Sequence, residues 1–595
     1  MPAPTHEASR RPPSMPKEWD VAPPWPHREA VARQIGISPV AAQILHNRGL
    51  SEGDEMKRFL SPKLGDLAGP ASLPGAVEAA ERIYAAIRNG RKVVIYGDYD
   101  VDGVTAVAIL WHAVRLAGGV ADFFIPHRLE DGYGLNPQAI SQLADTGVEL
   151  IVTVDCGVTA FEAAEVARRR GVDLIITDHH ALRRDESGRP MLPPALLVVH
   201  PDLPGGEGGN RELSGAGVAF KVAWALGQLA SGENRVTAEF RAFLVNATGL
   251  AALGLVADVV PLLGENRVIA LHGLQGLPGS TLPGVRALIE VSDESGRKLT
   301  GRAIGFGLAP RLNAVGRMGH ARLAVDLLTR ADADEAPRIA RVLDGHNAAR
   351  RKLEREILSD ARERVRASGQ DRDACRGIVL AAEDWHAGVI GIVAARLVEE
   401  FHRPTVLIAL DNGIGQGSGR SVPGFDLNAA LMACGEHLLT CGGHAMAAGL
   451  RIESARVDEF RAAFHERAER MFAGADTRPR LRLDGEFGLS ELDETLLRDL
   501  DRMEPFGCGN PDPLLSSRWV DVVGEPRVVG TGGDHLQVVV SEDGVQRRGI
   551  GFGLAKHRGV LCDHRRCRLA FVPYLNEFNG RRSVELRIKD FQFPG

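Results

Sequence analysis

The stretch Val93-Val-Ile-Tyr-Gly-Asp-Tyr-Asp-Val-Asp-Gly103 decides the fold. A short apolar run, the mark of a buried strand, leads directly into three carboxylates, Asp98, Asp100 and Asp102. A helical pattern follows from Val104 to Leu116. The acids are therefore expected at the carboxyl end of a parallel strand, where open α/β sheets bind ligands. Carboxylates at alternate positions repel one another unless cations sit among them, so the segment outlines a metal site.

The arrangement recurs downstream. Leu150-Ile-Val-Thr-Val154 delivers Asp155-Cys156-Gly157 ahead of a helical stretch from Phe161 to Arg170, and Leu174-Ile-Ile-Thr177 delivers Asp178-His179-His180. Right-handed βαβ crossovers bring the ends of such strands to one edge of a sheet, so these acids and histidines are expected to share one crevice. Asp258, in Gly254-Leu-Val-Ala-Asp-Val-Val-Pro261, is a lone carboxylate in an apolar stretch. Burying it without a partner is costly, and a cation is the natural compensation. Taken singly, each piece reads as a helix cap, an Asp-Gly turn or a solvated histidine pair. Their joint occurrence points to metal chemistry.

Gly97-Asp-Tyr-Asp-Val-Asp-Gly103, Val154-Asp-Cys-Gly157, Thr177-Asp-His-His180 and Val256-Ala-Asp-Val-Val-Pro261 resemble the four ordered motifs of the DHH phosphoesterases. Within that superfamily the chain is most similar to the single-strand-specific exonucleases of bacteria. The likeness extends through Arg311-Leu-Asn-Ala-Val-Gly-Arg317, Gly415-Gln-Gly-Ser-Gly-Arg420 and Gly442-Gly-His-Ala-Met-Ala-Ala-Gly449. It implies Asp100 and Asp155 as ligands of one ion and Asp102, Asp155, His179 and Asp258 as ligands of the other, with Asp155 bridging. It places Asp98 near the first ion and His180 against the scissile phosphate. Asp178 is expected to orient a histidine.

Carboxylates with imidazole and no thiolate set favour two Mn²⁺ or Mg²⁺ ions, a pairing suited to in-line phosphoryl displacement. On the substrate side, Ser418 and Arg420 are read as lying in a glycine loop whose backbone N–H groups, hydroxyl and guanidinium grip a phosphate. The resemblance makes this the anchor for a 5′ end. Arg128, Arg311 and Arg317 are candidates for neighbouring phosphates, with Asn313 and His444 as further polar contacts. The implied activity is 5′ to 3′ hydrolysis of single-stranded DNA to 5′-mononucleotides in DNA repair and recombination. No Walker phosphate loop is present, so no nucleotide-driven motor is expected, and the resemblance implies a helicase and a single-strand-binding protein as partners.

The organisation fits a mixed α/β protein. At 595 residues the chain exceeds what one core supports. Residues 1–30 read as a disordered Pro-rich arm and 31–325 as a parallel-sheet DHH catalytic domain. Residues 326–370 are expected to form a long connecting helix, and the resemblance implies a second α/β domain of the DHHA1 type over 371–472 and an OB-type β-barrel over 473–595. On the helix, Asn347, Arg350, Arg351 and Lys352 read either as a basic patch or as a solvated face. In the last domain Arg565, Arg566, Arg568, Arg581 and Arg582 are interleaved with Phe571, Tyr574 and Phe578, which serve as base-stacking surface or as core.

The net charge of −6 does not advertise nucleic-acid binding, so a phosphate-binding surface must be local. Seven irregularly spaced cysteines read as reduced thiols in the cytoplasm. Cys562 and Cys567 lack a second ligand pair for zinc. Ala242 to Leu263 is the most membrane-like segment, but Asn246, Asp258 and Pro261 make it a buried helix and loop. Two other readings remain. A phosphodiesterase of short oligoribonucleotides or cyclic dinucleotides would use the same metals, and a non-catalytic DNA-binding scaffold would keep the fold without the chemistry.

Overall fold

A computed structural model describes residues 17–126, 134–206, 209–232, 235–372, 375–472, 478–578 and 580–594, with the backbone only of Phe578 and Arg581. The chain divides into two compact units, one of residues 21–344 and 482–595, the other of residues 345–481 with the amino-terminal residues up to Asp20.

In the first unit, strands β1 (Val93–Gly97), β2 (Ala121–Phe124), β3 (Leu150–Val154), β4 (Asp173–Thr177) and β5 (Leu197–Val199) form a parallel sheet in the order β2-β1-β3-β4-β5. Val93 and Ile95 enter one core while Val94 and Tyr96 enter another, so both faces of the sheet are covered. That is why β1 and β3 read as unbroken apolar runs. The order reverses between β1 and β3, and a crevice opens at such a switch point beyond the strand ends.

The helices of this part include α1 (Val101–Leu116), α2 (Phe161–Arg169), α3 (Gly215–Ser231), α4 (Ala238–Ala257), α5 (Gly264–Gly276) and α6 (Ala309–Met318). Helix α4 is apolar and long enough to cross a membrane, yet its inward residues Leu250, Leu253 and Leu255 belong to the same core as Val104 and Ala108 of α1. Helix α7 (Ala336–Ala367) is the long polar helix read from the sequence. Its 32 residues span about 48 Å at 1.5 Å per residue. Asn347 is buried and Arg350 pairs with Glu354, so of the four residues read as a patch only Arg351 and Lys352 reach solvent.

The second unit carries a five-stranded mixed sheet of β6 (Ile378–Ala382), β7 (Thr405–Asp411), β8 (Ile414–Arg420), β9 (Thr440–Gly443) and β10 (Ala447–Glu453), in the order β9-β10-β8-β7-β6. Helix α8 (Ala387–Phe401) connects β6 to β7.

The carboxyl-terminal part of the first unit includes helix α9 (Glu494–Met503). It continues with β11 (Val520–Val529), β12 (His535–Glu542), β13 (Val545–Gly551), β14 (Arg566–Phe578) and β15 (Arg581–Gln592). The pairings β11–β12–β13–β15–β14–β11 return to their starting strand.

Two expectations about the amino terminus are corrected. Residues 18–21 form a strand paired with Arg480–Leu483, and Trp25 stacks on His46 at 4.4 Å, so the arm is ordered well before residue 30. Helices Arg28–Ile35, Pro39–Asn47 and Gly53–Leu60 do not join the catalytic sheet. Ile44, Leu45 and Met56 share one core with Leu496, Phe571 and Ile588 of the β domain. Nothing local announces that pairing, because an amphipathic helix specifies only that its apolar face be covered.

Candidate metal centre

Each acidic residue is placed by the local chemistry of its strand end. Asp98 follows β1 directly and is buried. Asp100 is the N-cap of α1, its Oδ1 accepting from the Gly103 N–H at 3.1 Å. Asp102, in the first turn, accepts from the N–H groups of Gly215 at 2.6 Å and Ala216 at 3.0 Å, where α3 begins. Asp155, beyond β3, has φ 61°, a left-handed conformation uncommon outside glycine and found where the surroundings impose it. Thr153 Oγ1 fixes this turn by donating to the Cys156 carbonyl at 2.7 Å.

His179 and Asp258 complete the cluster. His179 Nε2 lies 3.1 Å from Asp155 Oδ1, 3.5 Å from Asp258 Oδ2 and 3.7 Å from Asp102 Oδ2. Three sets of donor atoms each fit within 4.8 Å: Asp98, Asp100 and Asp155; Asp102, His179 and Asp258; and Asp155, His179 and His180. Asp178 is not among them. It accepts from the N–H groups of Val158, His179 and His180, and from His180 Nδ1 at 2.7 Å, so the histidine it orients through the ring is His180.

The electrostatics call for cations. Burial, with the Asp100 carboxylate, raises Asp102 to about 6 despite its two N–H donors. Burial and then Asp102, Asp100, Asp98 and Asp178 push Asp155 well above the ordinary carboxylate range. Burial and the same neighbours Asp102 and Asp100 raise Asp258 to about 8. Burial lowers His179 to about 4, leaving a neutral imidazole able to ligate. His180 resists its own burial because Asp178 bonds to it and carries it up to about 9. Asp178 in turn, raised by burial, is brought down to about 2 by His180 and its N–H donors.

Two glycines let the helices come this close. A Cβ at Gly254 of α4 would collide with Asp102 Oδ1, and one at Gly215 would meet Asp155 Cβ at 2.5 Å.

The substrate-side expectations fare unevenly. Ser418 and Arg420 lie on strand β8 and not in a loop. Gly415, Gly417 and Gly419 alternate with them because a Cβ at those positions would meet Ile408, Leu450 and Leu427. Ser418 and Arg420 face the other way, toward Gly391 of α8, with Arg420 Nη1 donating to Ser418 Oγ at 3.3 Å. Register sets Ser418 beside Gly449 and Arg420 beside Ala447, and the hairpin turns at exposed His444.

Arg311 is committed elsewhere. Its guanidinium donates to Asp344 Oδ1 at 2.9 Å and to the carbonyls of Gly307 and Val291, the geometry of a helix-packing clamp. Asn313 Oδ1 accepts from the Val101 N–H at 3.2 Å, so it braces the loop between Asp98 and Asp102. Arg317 lies one turn further along α6. Arg128 is outside the described residues. In the β domain Phe571 is core, Tyr574 donates to Glu585, and Arg568 is engaged by Ser517 and Gln592. The Phe578 and Arg581 side chains are outside the description.

Residues 92–248 match the DHH family, N-terminal domain, residues 376–470 the DHHA1 domain, and residues 483–590 the RecJ OB domain. The chain is 36% identical over 563 residues to the single-stranded-DNA-specific exonuclease RecJ of Dickeya dadantii, covering 91% of this chain and 94% of that one. It is 35% identical over 576 residues to the protein of the same name from Bacillus subtilis, covering 96% and 70%. This chain belongs to the RecJ family. The crystal structure of Thermus thermophilus RecJ in complex with Mn²⁺ matches it with a TM-score of 0.81 at 30% identity, over 97% of this chain and 80% of that one.

The residues present in this RecJ-family chain fit such ions. Asp155 Oδ1 and His179 Nε2 are both buried and, among the described residues, neither has a hydrogen-bond partner, although they face one another. Two buried polar atoms left unsatisfied at the middle of a carboxylate cluster are what a divalent cation would resolve.

Sequence reasoning missed Ser214, Gly215 and Ala216, whose hydroxyl and N–H groups hold Asp102. The signal was present as Ser214-Gly-Ala-Gly217, a cap before an apolar helix. It also missed His200, whose Nε2 bonds the His180 carbonyl at 2.8 Å.

Proposed function

We propose that the chain is an exonuclease of single-stranded DNA that hydrolyses phosphodiester bonds with two divalent cations, Mn²⁺ or Mg²⁺, and releases 5′-mononucleotides in the 5′ to 3′ direction. The observation that carries this reading is the unsatisfied pair Asp155 Oδ1 and His179 Nε2 inside a ring of four further carboxylates. Asp98, Asp100 and Asp155 would hold one ion, and Asp102, His179 and Asp258, with Asp155 shared, the other. Held by these residues, two divalent cations would supply an activated water and stabilisation of the leaving oxygen, the chemistry that phosphodiester hydrolysis needs.

The chain's own groups prepare that chemistry. The α3 amides and Ser214 fix the Asp102 carboxylate before any ligand arrives. Asp178 keeps the His180 ring oriented and cationic, which suits it to a phosphate oxygen. Asn313 holds the loop between Asp98 and Asp102 through the Val101 amide.

Strand handling falls to two other surfaces. Ser418, Arg420 and the Gly442–His444 hairpin offer a hydroxyl, a guanidinium and close backbone for a 5′ phosphate. In the β domain a groove of about 600 Å³, lined by Gln546, Arg547, Arg548, Asn576, Arg582 and Glu585, offers charge along a single strand. A helicase and a single-strand-binding protein would supply unwound substrate in the cytoplasm during repair and recombination. A small-molecule phosphodiesterase has no need of such a groove, and a scaffold has no need of a complete ligand set.

The test is digestion of a long, end-labelled, 5′-phosphorylated single strand with Mn²⁺, with and without chelator. Mononucleotides released from the 5′ end, only with metal, are expected. Preference for a dinucleotide, or strand binding without cleavage, would replace this reading.

A further inference from the structure

We propose that the β-domain turn Met503–Asn510 is a positioning element of the metal centre, holding Asp258 where it can ligate; this rests on the two-cation reading. Asp258 ends α4, and the next residue, Val259, has φ 62° and is exposed. A β-branched residue in the left-handed region is strained and persists only where its surroundings impose it. Local preference therefore does not shape the loop that follows Asp258.

What imposes it comes from far along the chain. The Leu262 N–H donates to the Cys508 carbonyl at 2.9 Å, and Leu262 itself is buried. The turn that offers this carbonyl is rigid. Gly507 and Asn510 exchange backbone hydrogen bonds, and the buried Asn510 amide donates to the carbonyls of Met503 at 2.8 Å and Pro505 at 3.0 Å. Close approach is built in: a Cβ at Gly507 would meet Leu262 Cδ1 at 2.8 Å, and one at Gly509 would meet Pro261 at 3.2 Å.

The first residues of α5 lock the two parts together. Asn266, fully buried, donates to the Pro261 carbonyl at 3.0 Å and to that of Glu212, two residues ahead of Ser214. It thus ties the loop carrying Asp258 to the loop that grips Asp102, and both acids belong to one candidate metal set. The neighbouring Arg267 is also buried, and its guanidinium donates to the carbonyls of Phe59, Arg502, Met503 and Glu504. A shift of the turn would therefore pass to Leu262, Pro261 and Asp258.

The experiment is direct titration of Mn²⁺ into the full-length protein, following free Mn²⁺ by electron paramagnetic resonance, for wild type, Asn510→Ala and Gly507→Val. Rates on single-stranded DNA are measured over the same metal range. The wild type should bind two ions. Each variant should weaken one of them on the order of tenfold or more and leave the other near its original affinity. The rate at saturating Mn²⁺ should return to within about twofold. Asn510→Ala removes the two side-chain bonds that brace the turn; Gly507→Val leaves them and displaces Leu262, so it decides the matter if the first variant does not fold. Unchanged affinity at both sites in a folded variant, or equal weakening of both, would overturn the proposal. A wild type that binds no Mn²⁺ would overturn the two-cation reading along with it.

Discussion

Asp155 is where the competing demands on this site meet, because it is buried, backbone-strained and surrounded by Asp98, Asp100, Asp102 and Asp178. Asp155→Ala should lower exonuclease activity by on the order of 10³-fold or more, while raising the melting temperature of the metal-free protein, since a crowded carboxylate is removed. Parallel rate and thermal-melt measurements check it, and a folded variant that melts lower without metal would make Asp155 structural. Asp178→Asn makes a different prediction. Loss of the carboxylate beside His180 should drop that ring from about 9 toward its ordinary 6.5. The variant should then lose activity as pH rises from 6 to 8, a range in which the parent keeps His180 charged; identical pH profiles would remove His180 from phosphate contact. The clustering of these acids and histidines was legible because acids after apolar runs repeat a pattern. The amides of Gly215 and Ala216 were not, because they reach Asp102 from 113 and 114 residues away and a backbone N–H leaves no mark in sequence.

Strand β8 shows where reading elements from residues fails. Gly415, Gly417 and Gly419 suggest a loop, yet they alternate, and alternation is the signature of a strand with one crowded face. Gly419→Val, with its Cβ 2.8 Å from Leu427, should destabilise the second unit by about 1–3 kcal/mol through overpacking, measured by denaturant unfolding. Arg420→Ala, on the opposite face, should leave that unfolding nearly unchanged and raise the Michaelis constant for 5′-phosphorylated strands. If the two variants behave alike, the face does not serve substrate. Strands β1, β3 and β4 were legible because each is apolar and ends in chemistry. Strands β2 and β5, at the sheet edges, were not: Ala121–Phe124 carries Asp122, and Leu197–Val199 is three residues long. Arg311 misled for a related reason, since a guanidinium spent on Asp344 and two carbonyls looks in sequence like one kept for phosphate.

For the whole molecule, the sum of these charges appears as stability against pH, and its sign can be worked out. Asp258, raised from 3.8 to about 8, keeps a proton in the folded metal-free protein that the unfolded chain gives up, so stability falls as pH rises between those values. His180, raised from 6.5 to about 9, contributes stability that is complete below 6.5 and lost on the way to 9. His179, lowered to about 4, acts in the opposite direction, but only between 4 and 6.5. Asp102, near 6, has largely titrated by then. From pH 6.5 to 8 Asp258 and His180 therefore act in the same direction. Metal-free protein should lose stability across this window, by no more than about 1.4 kcal/mol per pH unit for each group and by less for partly solvated His180. Excess Mn²⁺ should reverse the trend, because a cation that competes with protons binds more tightly as they leave. Thermal unfolding at pH 6.5 and 8, in chelator and in Mn²⁺, measures both slopes. A melting temperature in chelator that is flat or rises over this range would mean the carboxylates are not crowded in solution, and the cluster would then need no cation to hold it together.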